Sequence, residues 1–258
     1  GAILALLQQH NRQDLTQYKS STLVRRIERR MAVHGRDTMA DYEAFLRQNP
    51  QELDLLFREM LIGVTAFFRD ADVWQQLKDT VLPDLLARRA ADDGPLRAWV
   101  AGCSTGEEAY SLAMIFQEVC ESGPEHLARG LQIFATDLST DAIAAARVGL
   151  YPASIAHDVG PALLGRFFSE RAGGYQIDKR IRDLVLFAQH DLIMDPPFTR
   201  LDFLSCRNVL LYFAASLQRR LLPLFHYSLR PGGVLLLGVD AFLGLPTWRR
   251  WTELFDLA

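Results

Sequence analysis

The chain has 258 residues, of which 49% are hydrophobic and 23% are charged, and its formal net charge is −3 at pH 7. This composition is typical of a globular protein with one or two domains, and the slightly acidic balance argues against general nucleic-acid binding. The three cysteines, Cys103, Cys120 and Cys206, are odd in number and far apart. They fit neither a disulfide framework nor a cysteine zinc site, so we expect a reducing, cytoplasmic environment.

From the start of the sequence and from its apolar runs, we expect neither export nor membrane insertion. The longest apolar runs, such as VLLLGV at 234–239, are far too short to span a bilayer. The first residue is Gly1, and no charged-then-apolar leader follows it. We therefore expect a processed start or a segment excised from a longer chain rather than a secreted precursor.

Residues 1–60 are predicted to form an all-helical N-terminal domain. Their apolar residues recur at helical spacing and show no strand-like alternation. Gly35 is expected to end the second helix, and Asn49-Pro50 to separate the helix before it from the next.

The second of these helices, within YKSSTLVRRIERRM at 18–31, is strongly basic. Leu23, Val24, Ile27 and Met31 are spaced to pack inward. The remaining face is predicted to carry four arginines, Arg25, Arg26, Arg29 and Arg30. Such a run is usually a solvated surface, but four arginines with a single glutamate favour a docking surface for an acidic partner.

Residues 61–258 are predicted to form a doubly wound α/β domain. Residues 71–91 have a helical pattern that we expect to break at Pro83, and a turn follows at 92–95. From Leu96 onward, short apolar strands alternate with amphipathic helices, which is typical of a mostly parallel sheet covered on both faces.

A segment from 151 to 190 interrupts this alternation. It contains Gly173-Gly174, followed by YQI and by DLVLFAQH. These features predict a small antiparallel β insertion over 151–190.

The loop after the first strand, in AWVAGCSTGEEAYSLAM at 98–114, is the first candidate site. Its glycines would let the backbone approach a ligand, but Glu107 and Glu108 would repel a pyrophosphate. Asp137, at the end of the second strand, is suited to hydrogen bonding with a ribose diol. A nucleoside ligand with positive charge and no phosphate fits this set, and S-adenosylmethionine is one. In the alternative interpretation, the glutamates only complement the helix dipole.

Three further segments combine polar and aromatic residues. VTAFFRD at 64–70 could be core followed by a solvated charge. In SCRNVLLYF at 205–213, Arg207-Asn208 would lie at the carboxyl end of a central strand, where polar side chains more often serve a ligand than a core. The alternative for this motif is a turn followed by a helix cap. Asp195-Pro196-Pro197-Phe198 resembles a loop of amino-group methyltransferases but precedes a strand instead of following one, so we interpret it as a proline turn.

Six motifs occur here in the same order as in a known protein family: YKSSTLVRRIERR, VTAFFRD, AGCSTGEEAYSLAM, FATDLSTDAIAAARVGLY, DFLSCRNVLLYF and LRPGGVLLLG. They resemble the chemotaxis-receptor protein-glutamate O-methyltransferase family, CheR. The likeness runs from about Leu15 to Gly238. It implies an all-helical N-terminal domain, a Rossmann-like methyltransferase domain and an inserted three-stranded β-subdomain.

The resemblance implies contacts with S-adenosylmethionine, or with its product S-adenosylhomocysteine, and no metal. Asp137 would hold the ribose, and Arg69 and Tyr212 would lie nearest the transferred methyl group. The family often has Asn at the positions of Gly63 and Asp191, so a ligand hydrogen bond is lost or remade at each. The implied cofactor-binding residues are Gly63, Thr65, Arg69, one of Glu107 and Glu108, Asp137, Asp191, Leu192, Arg207 and Asn208.

The implied reaction is in-line methyl transfer to a glutamate side chain on the cytoplasmic methylation region of a chemotaxis receptor, forming a methyl ester. A carboxylate is already ionised at neutral pH, so no general base is needed. Some family members bind a receptor C-terminal pentapeptide through the β insertion, a point that the sequence leaves open here. The alternative is a non-catalytic S-adenosylmethionine-binding regulatory module of a larger protein with fused or associated signalling domains.

Overall fold

The computed structural model describes residues 1–61, 63–88, 94–122 and 130–238, together with the backbone of a short strand at 248–250. The chain divides into two units. The first consists of Gly1–Ile62 and Leu210–Leu221, and the second of Gly63–Val209 and Leu222–Ala258.

The first unit is built on four N-terminal helices. Its core is apolar and includes the fully buried Leu7, Tyr42 and Leu56. A later segment of the chain joins this unit, since the Lys19 N–H donates to the Tyr212 carbonyl at 2.8 Å. The helices are α1 (Ala2–Asn11), α2 (Ser20–Val33), α3 (Met39–Gln48) and α4 (Pro50–Met60).

Local sequence explains the bounds of these helices. Thr38 caps α3 by accepting a hydrogen bond from the Asp41 N–H at 3.1 Å. Pro50 stands in the first turn of α4, where its missing N–H costs nothing. On α2, Leu23 and Ile27 are buried one turn apart, but the prediction that Val24 packs inward is wrong, because its direction lies about 100° from that of Leu23 and it is 41% exposed.

The second unit opens with an irregular helical segment. Helix α5 (Ala71–Gln76) passes through one π-helical stretch, Leu77–Val81, into α6 (Leu82–Ala87). The predicted break at Pro83 is wrong. The π-helical stretch ends at Val81, two residues before the proline, and changes the hydrogen-bond spacing of the preceding turn, so the helical path continues.

A six-stranded sheet forms the centre of the second unit, in the order β6-β2-β1-β7-β8-β9. All neighbouring pairs are parallel except β8 and β9. The order reverses between β1 and β7, as in doubly wound sheets. The strands are β1 (Leu96–Ala101), β2 (Leu131–Asp137), β6 (Val185–Gln189), β7 (Leu201–Cys206), β8 (Leu229–Leu237) and β9 (Trp248–Arg250).

Both faces of this sheet are covered. Ala98 and Val100 belong to a core cluster that also contains residues of helix α7 (Glu107–Ser122). Trp99 points to the opposite face, where its ring lies 5.2 Å from that of Phe198 and 6.2 Å from that of Phe225. Alternate residues of β1 are therefore buried on opposite sides, which confirms the predicted doubly wound α/β class. The other two long helices are α8 (Thr140–Val148) and α12 (Ala215–Ser228).

The insertion is a three-stranded antiparallel sheet in the order β3-β5-β4. The predicted span of 151–190 is too long at its end. Val185–Gln189 forms β6, which pairs in parallel with β2 as an edge strand of the main sheet. The remaining elements are β3 (Leu150–Tyr151), α9 (Ile155–Val159), α10 (Pro161–Phe167), β4 (Phe168–Arg171), β5 (Gly174–Ile177) and α11 (Lys179–Arg182).

Candidate functional site

The carboxyl ends of β1, β2 and β7 lie at the same edge of the sheet because these strands are parallel. The order of the sheet reverses between β1 and β7, and ligands of doubly wound sheets bind at such a position. The loop at 102–106, Asp137 and Arg207 follow or end these three strands. The fold thus brings the predicted segments to one edge.

The loop after β1 turns tightly over the end of β2. The N–H groups of Gly102 and Cys103 both donate to the Thr136 carbonyl, at 2.7 and 2.9 Å. Gly102 has a φ of +75°, and a Cβ there would lie 2.2 Å from a methyl carbon of Val209. No residue with a side chain fits at Gly102, so the glycine is required by the close approach of the chain.

Asp137 is fixed by two backbone N–H groups. Its Oδ2 accepts from Ser104 at 2.8 Å, and its Oδ1 accepts from Ser139 at 2.9 Å. Burial raises the pKa of Asp137, although these hydrogen bonds act in the opposite direction. Each carboxylate oxygen can accept one further hydrogen bond, so Asp137 can still bind a diol.

The two glutamates of the loop have different surroundings. Glu108 accepts a hydrogen bond from the Ser205 hydroxyl at 2.5 Å, and its other oxygen lies 3.5 Å from Arg207 Nη1. Both oxygens of Glu107 are within 2.8 Å of the Thr105 hydroxyl. Burial raises the pKa of each carboxyl group, and Arg207 opposes this effect only at Glu108. Of the two, Glu107 is therefore the carboxylate without a cation beside it among the described residues.

Arg207 ties the end of β7 to the segment 63–70. Its side chain is 1% exposed, and its Nη2 donates to Asp70 Oδ2 at 2.6 Å and to the Arg69 carbonyl at 2.8 Å. The guanidinium also lies over the Trp74 ring, 5.5 Å from its centroid. Arg207 Nη1 is buried and has no hydrogen-bond partner among the described residues.

The segment 63–70 also rests on helix α7. The Phe68 N–H donates to the Ser111 hydroxyl, which in turn donates to the Glu107 carbonyl. Thr65 and Arg69 are half-buried, and Arg69 Nη1 donates to the Val64 carbonyl at 3.2 Å. Among the described residues no other hydrogen bond or ion pair of the Arg69 guanidinium is present, so its remaining N–H groups can meet a ligand or a substrate.

Gly63 lies beside the loop. A Cβ at Gly63 would lie 3.3 Å from Ser104 Oγ, a buried hydroxyl oxygen with no hydrogen-bond partner among the described residues. Ser104 is thus a polar group of the site that the sequence did not single out.

The segment that contains Asp191 and Leu192 follows β6, and a backbone hydrogen bond of the preceding residue holds it at the same edge of the sheet. The His190 N–H donates to the Asp137 carbonyl at 3.0 Å. Asp191 Oδ1 accepts from the Ile193 N–H, and the Asp191 N–H donates to Asp195 Oδ2, both at 2.8 Å. Asp195 therefore stabilises this loop, but the turn lies at 192–194, and residues 196–198, which were interpreted as part of a proline turn, follow it without forming one.

Asn208 and Tyr212 follow β7 in different units. Asn208 has a φ of +57°, and a Cβ at Gly238 would lie 2.9 Å from its backbone nitrogen. Tyr212 belongs to the first unit, where its carbonyl accepts from Lys19. The catalytic role implied for Tyr212 stays a prediction.

Sequence comparison agrees with this geometry. Residues 63–253 match "CheR methyltransferase, SAM binding domain", and residues 1–61 match "CheR methyltransferase, all-alpha domain". The chain belongs to the CheR methyltransferase family.

Individual relatives differ in length. The chain is 34% identical over 225 residues to a chemotaxis protein methyltransferase of Listeria monocytogenes, covering 87% of this chain and 82% of the relative. It is 36% identical over 198 residues to chemotaxis protein methyltransferase 1 of Pseudomonas aeruginosa, covering 73% and 72%. A third relative, an uncharacterized 104.1 kDa protein of Rhodobacter capsulatus, is 44% identical over 238 residues, which are 92% of this chain but 25% of that protein.

Membership of the CheR family makes this a chain with an S-adenosylmethionine-binding methyltransferase domain. The described residues fit such a ligand. Glu107 is a carboxylate without a cationic partner, and the buried Ser104 Oγ and Arg207 Nη1 have unused hydrogen-bonding capacity among these residues. In the part of the chain that the structure describes, no helix is both long and apolar enough to cross a membrane.

The basic helix of the CheR N-terminal unit does not present all four arginines to solvent. Arg30 binds Glu52 through two nitrogens, at 2.8 and 2.6 Å, and Glu52 is only 4% exposed. Arg26 pairs with Glu59 at 3.1 Å and is 19% exposed. The predicted common face of Arg25, Arg26, Arg29 and Arg30 is wrong for Arg26 and Arg30, because helix α4 supplies carboxylates to them.

Arg25 and Arg29 are the exposed members of this set. Arg29 is 68% exposed, although its Nη1 lies 3.3 Å from Glu59. Arg25 is also exposed. A docking surface on α2 is thus reduced to these two side chains.

Proposed function

We propose that this protein transfers the methyl group of S-adenosylmethionine to glutamate side chains in the cytoplasmic methylation region of a chemotaxis receptor. Two observations support the proposal: the family to which both parts of the chain belong, and relatives whose names identify them as chemotaxis protein methyltransferases. The observation that carries it is the edge formed by the loop at 102–106, Asp137 and the Arg207-bound segment 63–70.

In this proposal Glu107 is the carboxylate that receives the positively charged end of the methyl donor. Glu108 is already compensated by Arg207 and bound by Ser205. Glu107 is partly buried and, among the described residues, has the Thr105 hydroxyl but no cationic side chain beside it. A ligand cation would offset the desolvation of Glu107, whereas at Glu108 it would have to compete with Arg207.

Asp137 is proposed to accept hydrogen bonds from the ribose hydroxyls. Its carboxylate is oriented before any ligand binds, because the Ser104 and Ser139 N–H groups hold one oxygen each. Asp191 and Leu192 are proposed to lie beside the adenine. Asp191, unlike the Asn that is common in the family, offers only acceptors, so it suits an amino group on the ligand.

Arg69 is proposed to orient the acceptor carboxylate, and Tyr212 is proposed as a second positioning group. S-adenosylmethionine supplies the activated methyl group. The protein has no proton to remove, because a glutamate acceptor is ionised at neutral pH. Its contribution is alignment, and a network of hydrogen bonds from Arg207 to Asp70 and to the Arg69 carbonyl holds the backbone of Arg69 in place.

Arg25 and Arg29 on α2 are proposed to attract the acidic helical bundle of the receptor. Both side chains are exposed and positively charged. Long-range attraction of this kind raises the association rate and weakens with salt. We further propose that the protein acts in the cytoplasm, without a metal, as a domain that can be fused to other signalling domains.

A labelled-methyl assay tests this function directly. The protein is incubated with methyl-labelled S-adenosylmethionine and a membrane fraction that contains chemotaxis receptors, and the receptor band is treated with mild alkali. A glutamyl methyl ester releases its label as volatile methanol. Alkali-stable label would contradict the ester, and absence of transfer alongside measurable cofactor binding would favour a non-catalytic binding module.

A further inference from the structure

Tyr151 links the β insertion to the loop of the candidate site. It ends β3, is 4% exposed, and its hydroxyl donates to the Thr105 carbonyl at 2.7 Å. The hydroxyl of Thr105 is the group that holds both oxygens of Glu107. Tyr151, a residue of the insertion, therefore holds the backbone of Thr105. Among the described residues, Thr105 is the side-chain hydrogen-bond partner of the Glu107 carboxylate.

The ring of Tyr151 contacts the second part of the site. It lies edge-on to Phe67, with ring centroids 4.9 Å apart. Phe67 is 2% exposed, belongs to the segment 63–70, and also packs edge-on against Phe168 of β4 at 5.5 Å. One tyrosine thus contacts both the glutamate loop and the segment that carries Thr65 and Arg69.

The insertion is shaped to hold Tyr151 in this position. Tyr151 pairs with Tyr175 of β5. A Cβ at Gly174 would lie 1.9 Å from the Tyr151 carbonyl oxygen, so only glycine allows β5 to approach. Burial raises the pKa of Tyr151, which keeps its hydroxyl protonated as a donor throughout the neutral range.

We propose that Tyr151 is a positioning residue for methyl transfer. It acts on the cofactor site through Thr105 and Glu107, and through it the β insertion stabilises that site. The proposal rests on the proposed function for its effect on the rate of methyl transfer. Its effect on cofactor binding does not depend on which acceptor the protein methylates.

The test is a titration of Tyr151→Phe with S-adenosylhomocysteine, which requires no methyl acceptor. Loss of one buried hydrogen bond predicts a Kd about two- to tenfold higher than that of the unchanged protein. Two tyrosines provide controls. Tyr175→Phe changes a hydroxyl in the same small sheet and should leave the Kd unchanged.

Tyr110→Phe controls for loss of stability. Its hydroxyl donates to the Ala146 carbonyl at 2.8 Å, a buried hydrogen bond that is not directed at the loop. This variant should lower the Tm as much as Tyr151→Phe does, without the same change in Kd. An unchanged Kd in Tyr151→Phe, or an equal rise in Tyr110→Phe, would overturn the proposal.

A double-mutant cycle tests the route through Glu107. If Tyr151 acts by positioning this carboxylate, Tyr151→Phe should raise the Kd less in a Glu107→Gln background than in the unchanged protein. Additive effects would contradict the route. If the titration bears out Tyr151 but no glutamate is methylated, the positioning role stands and the proposed function fails.

Discussion

Replacing Glu107 and Glu108 separately by glutamine should separate a ligand-binding carboxylate from a structural one. Glutamine keeps the size of each side chain and removes only the charge. At Glu107 the charge has no described cationic partner, so we expect the fold to be as stable as before, or more stable, because a partly buried charge has been removed. A charge-assisted hydrogen bond to the ligand contributes about 1.5–3 kcal/mol, so the Kd for S-adenosylmethionine should rise roughly 10- to 150-fold.

Glu108→Gln should affect the stability of the fold more and the affinity for the ligand less. The glutamine can still accept from Ser205, but Arg207 loses one of its two carboxylate neighbours. We expect the free energy of unfolding to fall by about 1–3 kcal/mol and the Kd to change less than in Glu107→Gln. Isothermal titration and urea unfolding of the two variants give both quantities. A larger loss of affinity in Glu108→Gln, at unchanged stability, would refute the assignment.

The pH dependence of cofactor affinity gives an independent check on Glu107. Burial raises its pKa in the ligand-free protein, so its carboxyl group becomes protonated at a higher pH than that of an exposed glutamate. A cation binds the ionised form, and affinity should therefore increase as the pH rises through this raised pKa and then level off. Glu107→Gln should remove this step, and a step that persists in the variant would assign it to another group.

Three further substitutions test the other assignments. Arg69→Ala should leave S-adenosylhomocysteine binding measurable by titration while methyl transfer is lost, and wild-type transfer rates would exclude Arg69 from the reaction. The double charge reversal Arg25→Glu with Arg29→Glu should raise the KM for the receptor, most strongly at low salt. The control is Arg47→Glu on α3, which should leave the KM unchanged. Equal effects of the two charge changes would indicate nonspecific charge repulsion. Arg30→Met should instead lower the free energy of unfolding by about 3–5 kcal/mol, because it leaves the buried Glu52 without its bidentate partner. Urea unfolding measures this quantity, and an unchanged stability would contradict a structural role of Arg30.

The sequence predicted the fold well because each element has a local signal. The alternation of buried strands and helices after Leu96 was enough for the doubly wound class. The end of the insertion was not predictable from periodicity, since DLVLFAQH is equally suited to either sheet, and only pairing with β2 assigns it to the larger one. At Pro83, the preceding π-helical stretch depends on tertiary packing that no local pattern records.

The candidate site was predictable in part. The glutamates, Asp137 and Arg207 were found from their positions after strands and from the resemblance to the family. Their partners were not, because Ser205 and Asp70 reach Glu108 and Arg207 across the fold. Tyr151 was missed for the same reason. Its hydroxyl bonds to a backbone carbonyl 46 residues away, and a carbonyl leaves no trace in a sequence.

The most direct test of the account is the identity of the methylated residue. A purified receptor cytoplasmic fragment, incubated with this protein and S-adenosylmethionine, is digested and analysed by tandem mass spectrometry before and after mild alkali. We expect a single added methyl on glutamate side chains, absent with the Arg69→Ala variant and removed by alkali. Methyl groups on lysine, arginine or another side chain, or on no residue at all, would contradict it.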